Sequence, residues 1–512
     1  MSFAAFREFF VSHSRLSEAN HRAARSAFHV PLALILAVWG ATPGVSADSQ
    51  GHLLRARHAP GSHLEVKTIL EVDGSLRVNP DGKKVVELPL KLVANHQYAE
   101  RWLSPSRKTN SGDSGEQPAT VRLYRKAEAD MRIEDSSRQI TLDDERRIVA
   151  VHLGEGRPKL YSPLGPITRD DLELIDVQGN SALLDELLPS GEQRTKTGEG
   201  WTIDKAVIGY LLGLEAVSQS DVSAKLASVE NDVAIIDIGG AVSGAVGGVA
   251  SEIECKAKLN FDLKSQQITW LAMSIQEDRA IGHAEAGFKV TARLRMAIAD
   301  SSDNDSVPEL ADDSLANLPI AYNLGSELLQ FQSQPGGFRL LHDRRWRLMG
   351  DEAKLAVMRM VDQGDLIAQC NISNLPAFSL GKQLTLEAFQ ADIEKSLGDQ
   401  FMQFTEASES LNQQQLRVLK CVATGNSSGL PIVWVYYHLS NDAGRRLAIG
   451  FTLEDRLLEQ FAEADQVLVN SLEFTERATP SDNSPADART EPARAAAKSG
   501  SQAKPAEKTR KQ

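Results

Sequence analysis

Cysteine is scarce in this chain: Cys255, Cys370 and Cys421 are its only three in 512 residues. So few thiols exclude a scaffold built on disulfides, and their spacing matches no metal-ligand set. An odd count leaves at least one thiol free. For Cys370 and Cys421, both in apolar strands of one region, two readings stand: a disulfide in an oxidising compartment or, favoured, two buried thiols. Positive charge is also in deficit. The net charge of −13 argues against a nucleic-acid binder, which gathers Lys and Arg to neutralise phosphate. Aromatic residues stop at Phe474, and the Ala, Pro, Ser, Lys and Glu that follow cannot bury enough area to offset ordering entropy, so 475–512 is predicted to be disordered. From Arg477 onward that tail carries eight Lys or Arg against four Asp or Glu, a mildly basic terminus.

The apolar run 30–40 is about half of the roughly 20 residues that span a bilayer. What surrounds it points to export. Arg15, Arg22 and Arg25 precede it, Pro43 and Gly44 break it, and Val45-Ser46-Ala47 puts small residues where a signal peptidase cuts. Residues 28–47 therefore read as a secretory signal cleaved between Ala47 and Asp48, which sends the mature chain to the periplasm or outside the cell. No cysteine sits just after Ala47, which argues against lipid modification. The long segment ahead of the apolar run leaves an uncleaved membrane anchor as the alternative, and that anchor is the only membrane contact expected.

After the signal (1–47), residues 48–63 are predicted to be disordered, 64–298 form a first region, 299–329 an acidic, serine-rich linker, and 330–474 a second region. Period-two alternation predicts strands at 64–72, 85–93, 120–127, 129–134 and 147–153, then at 233–238, 252–263, 267–276 and 287–297. Between the two sets, 204–217 and 220–229 carry helical spacing with polar starts. The product is a long antiparallel sheet with helices in its concavity. Gly198-Glu199-Gly200-Trp201, the glycines Gly239, Gly240, Gly244, Gly247 and Gly248, and the strand pair around Phe261-Asp262 resemble the LolA-like half-barrel type of secreted bacterial protein. That resemblance implies a curved sheet with a hydrophobic interior that carries lipid or lipidated protein.

In the second region, strands are predicted at 337–341, 346–349, 354–361 and 365–372, then a helix 385–397, three strands, and a helix 455–472. Leu386, Phe389, Ile393 and Leu397 share one helical face. The strand 431–439 is apolar on both faces and must be covered on both. The fold class read for this region is α+β, an α/β/α sandwich on an antiparallel sheet. Gly337-Phe338-Arg339-Leu340 with Trp346, and Trp434-Val435-Tyr436-Tyr437 near the end, resemble the Mog1/PsbP family. Its members bind partners or stabilise assemblies without a shared active site, so the resemblance implies an interaction module.

Motifs that could carry chemistry have plainer explanations. Gly425-Asn426-Ser427-Ser428-Gly429 matches the nucleophile-elbow letters but joins two strands, where hairpin-turn chemistry accounts for it. The glycines 239–248 lack the ending of a phosphate loop and suit strand bends. His96, His152, His283, His342 and His438 have no second ligand at metal spacing, and His438 reads as a packed, hydrogen-bonded core residue. Asp300, Asp303 and Asp305 lack the glycine and distal glutamate of a calcium loop. No catalytic, cofactor or metal residue is assigned. The sequence thus reads as an exported, non-enzymatic binding or assembly protein for an apolar ligand or lipidated partner. A hydrolase with a dispersed site and a purely structural envelope component stand as alternatives. N-terminal sequencing of the exported protein is expected to begin at Asp48, and a chain that keeps residue 1 would show that the leader is retained.

Overall fold

A computed structural model describes residues 51–59, 61–79, 84–103, 116, 118–154, 156–300 and 307–476. The signal segment with Ala47 and Asp48, residues 301–306 of the acidic run and the tail beyond 476 lie outside the described residues. The first region is an open sheet of 13 strands. Its centre runs antiparallel through Val233–Val246, Val249–Asp262, Gln267–Arg279, Gly287–Asp300, His63–Val78, Val86–Trp102 and Thr120–Ile133. Alternation divides the faces: Leu64, Val66, Leu70 and Val72 are buried on one, while Glu65, Lys67, Glu71 and Asp73 lie on the other. Against the apolar face pack three helical segments, Arg169–Ile175, Ser181–Leu187 and Lys205–Leu212, through Leu172, Leu174, Leu184, Leu187, Leu211 and Leu212. The interior of the sheet is thus occupied by the chain's own side chains.

A buried polar network fixes the helical segments to that sheet. Glu100 accepts hydrogen bonds from Thr120 (2.9 Å), Arg122 Nε (2.8 Å) and Ser181 (2.6 Å). Arg122 also donates to Ser181 (2.9 Å) and to the Asn180 side chain that caps the segment Ser181–Leu187. Because the Ser181 hydroxyl proton goes to Glu100, the 2.9 Å contact with Tyr98 is one in which Tyr98 donates. Every member has a partner, the condition under which buried charge is tolerated.

The second region is a seven-stranded antiparallel sheet in the order Trp346–Asp351, Leu355–Asp362, Asp365–Leu375, Arg446–Glu454, Leu430–Ser440, Arg417–Ser427, Phe401–Leu411. The strand Leu430–Ser440 lies inside the sheet and is covered on both sides, as its two apolar faces demand. Val433, Val435 and Tyr437 join Phe451, Phe461 and Leu468 in one cluster, and Tyr436 joins Phe389, Ile393 and Leu419 of the opposite cluster. Thr385 caps the helix Leu386–Leu397 by accepting from the Ala388 amide.

Cys370 and Cys421 are free and buried, as is Cys255. The disulfide reading fails on geometry. Cys370 belongs to the first of those clusters and Cys421 to the opposite one. Their strands are three steps apart in the sheet, about 14 Å at the usual spacing, against the roughly 7 Å limit for a disulfide.

Several predicted elements need correction. Residues 220–229 form a strand, Ser223–Glu230, whose Ala224 and Leu226 are buried in alternation. Asn231 and Asp232, both at positive φ (51° and 65°), close its hairpin to Val233–Val246. The helix predicted over 204–217 ends at Leu212 because Gly213 (φ 81°) terminates it. The strands predicted at 120–127 and 129–134 are one strand, Thr120–Ile133, with a bulge at Arg125 opposite Gln97 and Tyr98, and Glu134 (φ 50°) lies in the turn that follows. Four strands, rather than three, lie between the helix Leu386–Leu397 and the last helical segments. The last helix is broken at Ala462 (φ 47°) between Leu458–Phe461 and Ala464–Ser471, and Phe461 faces Trp346 and Phe451.

Two segments assigned to linker or disorder are packed. Leu54 is buried, His52–Leu53 pairs with Arg194–Thr195, and His58 stacks on Trp102 at 4.1 Å. Beyond residue 306, Val307, Leu310 and Leu315 cover Val121, Leu123 and Tyr161. Leu329–Ser333 then enters a four-stranded sheet that also takes Ile167–Thr168 from the first region and Phe338–His342 and Glu473–Phe474 from the second. Phe338–His342 therefore lies in this bridging sheet rather than in the seven-stranded one.

Removing Arg122 strands Glu100 in an apolar core. Arg122→Leu is expected to lower stability by about 3–5 kcal/mol, read as a shifted denaturant midpoint, and a loss below about 1 kcal/mol would contradict the network's role.

Candidate functional site

The open space with the most developed chemistry lies where the two regions meet. Parallel pairing of Ile167–Thr168 with Leu329–Gln330 brings the start of the helix Arg169–Ile175 against the second region. That helix begins there because Thr168 and Asp171 form a reciprocal capping box. Arg169, its first residue, donates across the junction to the carbonyls of Arg344 (2.7 Å) and Trp346 (3.1 Å). Arg344 donates back to the carbonyl of Leu160 (2.6 Å) and Arg359 to that of His283 (2.8 Å). Arg347 pairs with Glu285 at 3.2 Å and donates to the Arg344 carbonyl that also receives Arg169.

Two hairpin tips complete the junction. Gly247 and Gly248 turn the hairpin between Val233–Val246 and Val249–Asp262, and Gln363 and Gly364 turn the one between Leu355–Asp362 and Asp365–Leu375. A Cβ at Gly248 would lie 2.1 Å from the Gly364 backbone, so this approach requires glycine. Glu215 accepts the Gly247 amide at 2.7 Å and steadies the first tip.

These elements enclose a cleft of about 660 Å³. Its walls carry six basic side chains (Arg157, Lys159, Arg169, Arg344, Arg345, Arg347) and six acidic ones (Glu173, Asp176, Glu215, Glu327, Asp343, Asp362). Ion pairs join many of them: Arg157 with Asp176 at 2.8 Å, Lys159 with Glu327 at 2.9 Å, and Arg345 with Asp343 and Asp362 at 2.9 and 3.5 Å. Burial, together with the neighbouring Arg347 and Arg344 charges, pushes the Arg169 guanidinium below its ordinary value. Burial also lowers Arg344. Burial works to raise the Glu327 carboxyl, but hydrogen bonds from Tyr322 and Lys159 prevail and hold it low. Such a cleft suits a polar ligand that presents both signs of charge. Among the described residues lining it, none is Ser, Thr, Cys or His.

The residues singled out in sequence lie elsewhere. Ser428 and Gly429, at φ 52° and 86°, form a two-residue hairpin turn in which the Gly429 amide donates to the Asn426 side chain at 2.8 Å, so Ser427 ends a strand and no elbow exists. Gly240 and Gly244 let Val233–Val246 approach Val222 and the Ala216 carbonyl too closely for any Cβ. His96 bonds the Leu174 carbonyl at 2.8 Å, and His152 stacks on Tyr322 at 4.3 Å. His438 is buried and packs on Phe389 as expected, but among the described residues neither of its ring nitrogens finds a hydrogen-bond partner, which corrects the expectation of a hydrogen-bonded residue. Among the described residues no three His, Cys, Asp or Glu side chains gather as a metal site. Sequence reasoning missed the arginine cluster. Its one visible signal was Asp343-Arg344-Arg345-Trp346-Arg347, four charges around a tryptophan that the fold buries completely.

No family model and no curated protein matches the chain. Among solved structures it is similar to a protein from Bacteroides thetaiotaomicron (12% identity, 29% of this chain and 49% of that one, TM-score 0.22). Lipovitellin, in a structure concerned with lipid–protein interactions, is similar at 6% identity over 48% of this chain and 26% of its own, with TM-score 0.27. Cyanobacterial PsbP from Synechocystis is similar at 10% identity over 29% of this chain and 92% of its own, with TM-score 0.22. The chain spans about half the length of the first of these. Likenesses at these scores say nothing about function.

Two buried histidines, His342 beside the junction and His96 within the first region, are held neutral by the fold. Burial and the nearby Arg169 charge push His342 down from 6.5 to about 4, and burial does the same to His96. Both pKa values fall on folding, so between pH 6.5 and 4 the unfolded chain binds more protons. The stabilisation is complete above pH 6.5 and is lost as pH falls toward 4, at most about 3 kcal/mol per imidazole. The denaturant midpoint is expected to fall across that window, and less steeply in His342→Asn. Identical slopes in the two proteins would contradict a neutral His342 in the fold.

Proposed function

We propose that the chain is an exported, non-enzymatic binding or assembly protein whose two regions hold a polar, charge-bearing ligand or partner segment in the cleft between them. The observation that carries this reading is the cleft itself: about 660 Å³, within the range of small-molecule sites and at a junction of regions, where such sites concentrate. Its balanced acids and bases favour a zwitterionic or peptide-like occupant, and its wall chemistry favours binding over acyl transfer. The second region fits the role of an interaction module that its Mog1/PsbP-like order implies. The apolar cargo implied by the half-barrel likeness has less support, since Leu172, Leu184, Leu187 and Leu211 already fill the apolar face of the large sheet.

Native mass spectrometry of the protein purified from its exported fraction tests the reading. A polar adduct of a few hundred daltons is expected, released by salt and absent from Arg345→Gln. A lipid adduct that Arg345→Gln leaves in place would contradict the polar cleft and restore the apolar carrier.

A further inference from the structure

The solvent face of the large sheet carries a second concavity, far from the cleft in chemistry. It is a trough of about 540 Å³ over the strand Gln267–Arg279. Register places its lining in two consecutive rows. In one, Ala272 lies between Lys258 and Arg295; in the next, Ser274 lies between Lys256 and Arg293. Four cations therefore stand at the corners of a rectangle about 7 Å along the strands and about 10 Å across them, above a floor of two small side chains. Asp237 and Glu71 extend the same two rows beside Lys258 and Arg293, and Glu71 lines the trough, so in a chain of net charge −13 these rows carry four cations against two carboxylates.

The cations are not committed to one another's neighbours. Each has one acidic partner on its outer flank or in an adjacent row: Lys258 with Asp237 (3.5 Å), Lys256 with Glu254 (3.2 Å), Arg295 with Glu71 (3.1 Å) and Arg293 with Asp73 (3.9 Å). All four cationic side chains are more than half exposed, and exposed pairs of this kind contribute about 0–1 kcal/mol. They can turn inward to a ligand at little cost. The next two rows reverse the charge. There Gln276 lies between Glu254 and Thr291, and Asp278 between Glu252 and Lys289, with Asp73 beside Thr291. An anion is thus bounded to the two cationic rows, which excludes a long polyanion laid along the strand.

We propose that this trough is a site for a compact, multiply charged anion of the phosphate class, held by Lys256, Lys258, Arg293 and Arg295 over Ala272 and Ser274. The site is independent of the cleft reading, and either can fail alone. The chemistry is shared by free oligophosphates and by phosphate-bearing lipid headgroups.

Titration calorimetry with sodium tripolyphosphate at low salt, in parallel with sedimentation on phosphatidylglycerol vesicles, tests the proposal and separates the sources. Expected is saturable 1:1 binding of tripolyphosphate or salt-sensitive vesicle binding, weakened at least tenfold in a Lys256→Gln, Arg293→Gln double variant. The control, Lys126→Gln with Arg132→Gln, removes two exposed cations from the strand Thr120–Ile133 and is expected to change either signal less than twofold. Glu254→Gln is expected to strengthen binding. Unchanged circular dichroism and melting temperature verify the fold of each variant. Binding to neither probe, or equal weakening in both double variants, would overturn the proposal and leave only a response to net charge.

Discussion

The exchange of arginine hydrogen bonds across the junction is the constraint on which the rest of this architecture depends. Arg169 of the first region serves carbonyls of the second, and Arg344 of the second serves a carbonyl of the first. A guanidinium taken out of water must find acceptors, and backbone carbonyls freed at strand ends supply them without adding a counter-charge. The residual positive charge is met by Glu173, Glu285 and Glu327, which line or flank the same space. The junction is therefore rich in charge, and the cleft it leaves sets those charged side chains beside Leu172, Val246, Leu324, Leu328 and Val361.

That constraint orders the neighbouring elements. The bridging sheet brings Ile167–Thr168 and Leu329–Ser333 side by side, and the capping box at Thr168 then launches the helix that carries Arg169. On the far side, Gly248 and Gly364 allow two hairpin tips to meet backbone to backbone. Away from the junction each region has its own dry core, one set around the helical segments and one around Trp346, Phe451 and Phe461. Most buried apolar side chains go into those cores, while the cleft and the trough both carry charged side chains among their lining. The polar ligand proposed for the cleft, in place of the lipid cargo implied by a half-barrel, rests on that division.

Much of the fold was legible in the sequence because it rests on short-range periodicity. The long strands of the first region, the helix after Thr385 and the doubly covered strand around Trp434 all follow from alternation and capping. What failed were places where a local signal has two readings. Ser223–Glu230 is too short for period alone to separate helix from strand, and the Asn231-Asp232 turn that decides it lies outside the window. The single strand Thr120–Ile133 reads as two in the sequence, which does not reveal its bulge at Arg125. The site was nearly illegible, since Arg169, Glu285, Glu327 and Arg344 come from separate segments and meet only through the bridging sheet. Charged residues read as solvated surface until a partner across the junction is known. Cys370 and Cys421 show the converse: both are rightly read as buried, yet only the strand order reveals that they lie on opposite faces.

If the arginine exchange joins the two regions, they should unfold together. Scanning calorimetry of the purified protein is the most direct measurement. A single transition with matching calorimetric and van't Hoff enthalpies is predicted, and Arg169→Leu should split it into two. Two resolved transitions in the unaltered protein would contradict the junction's role.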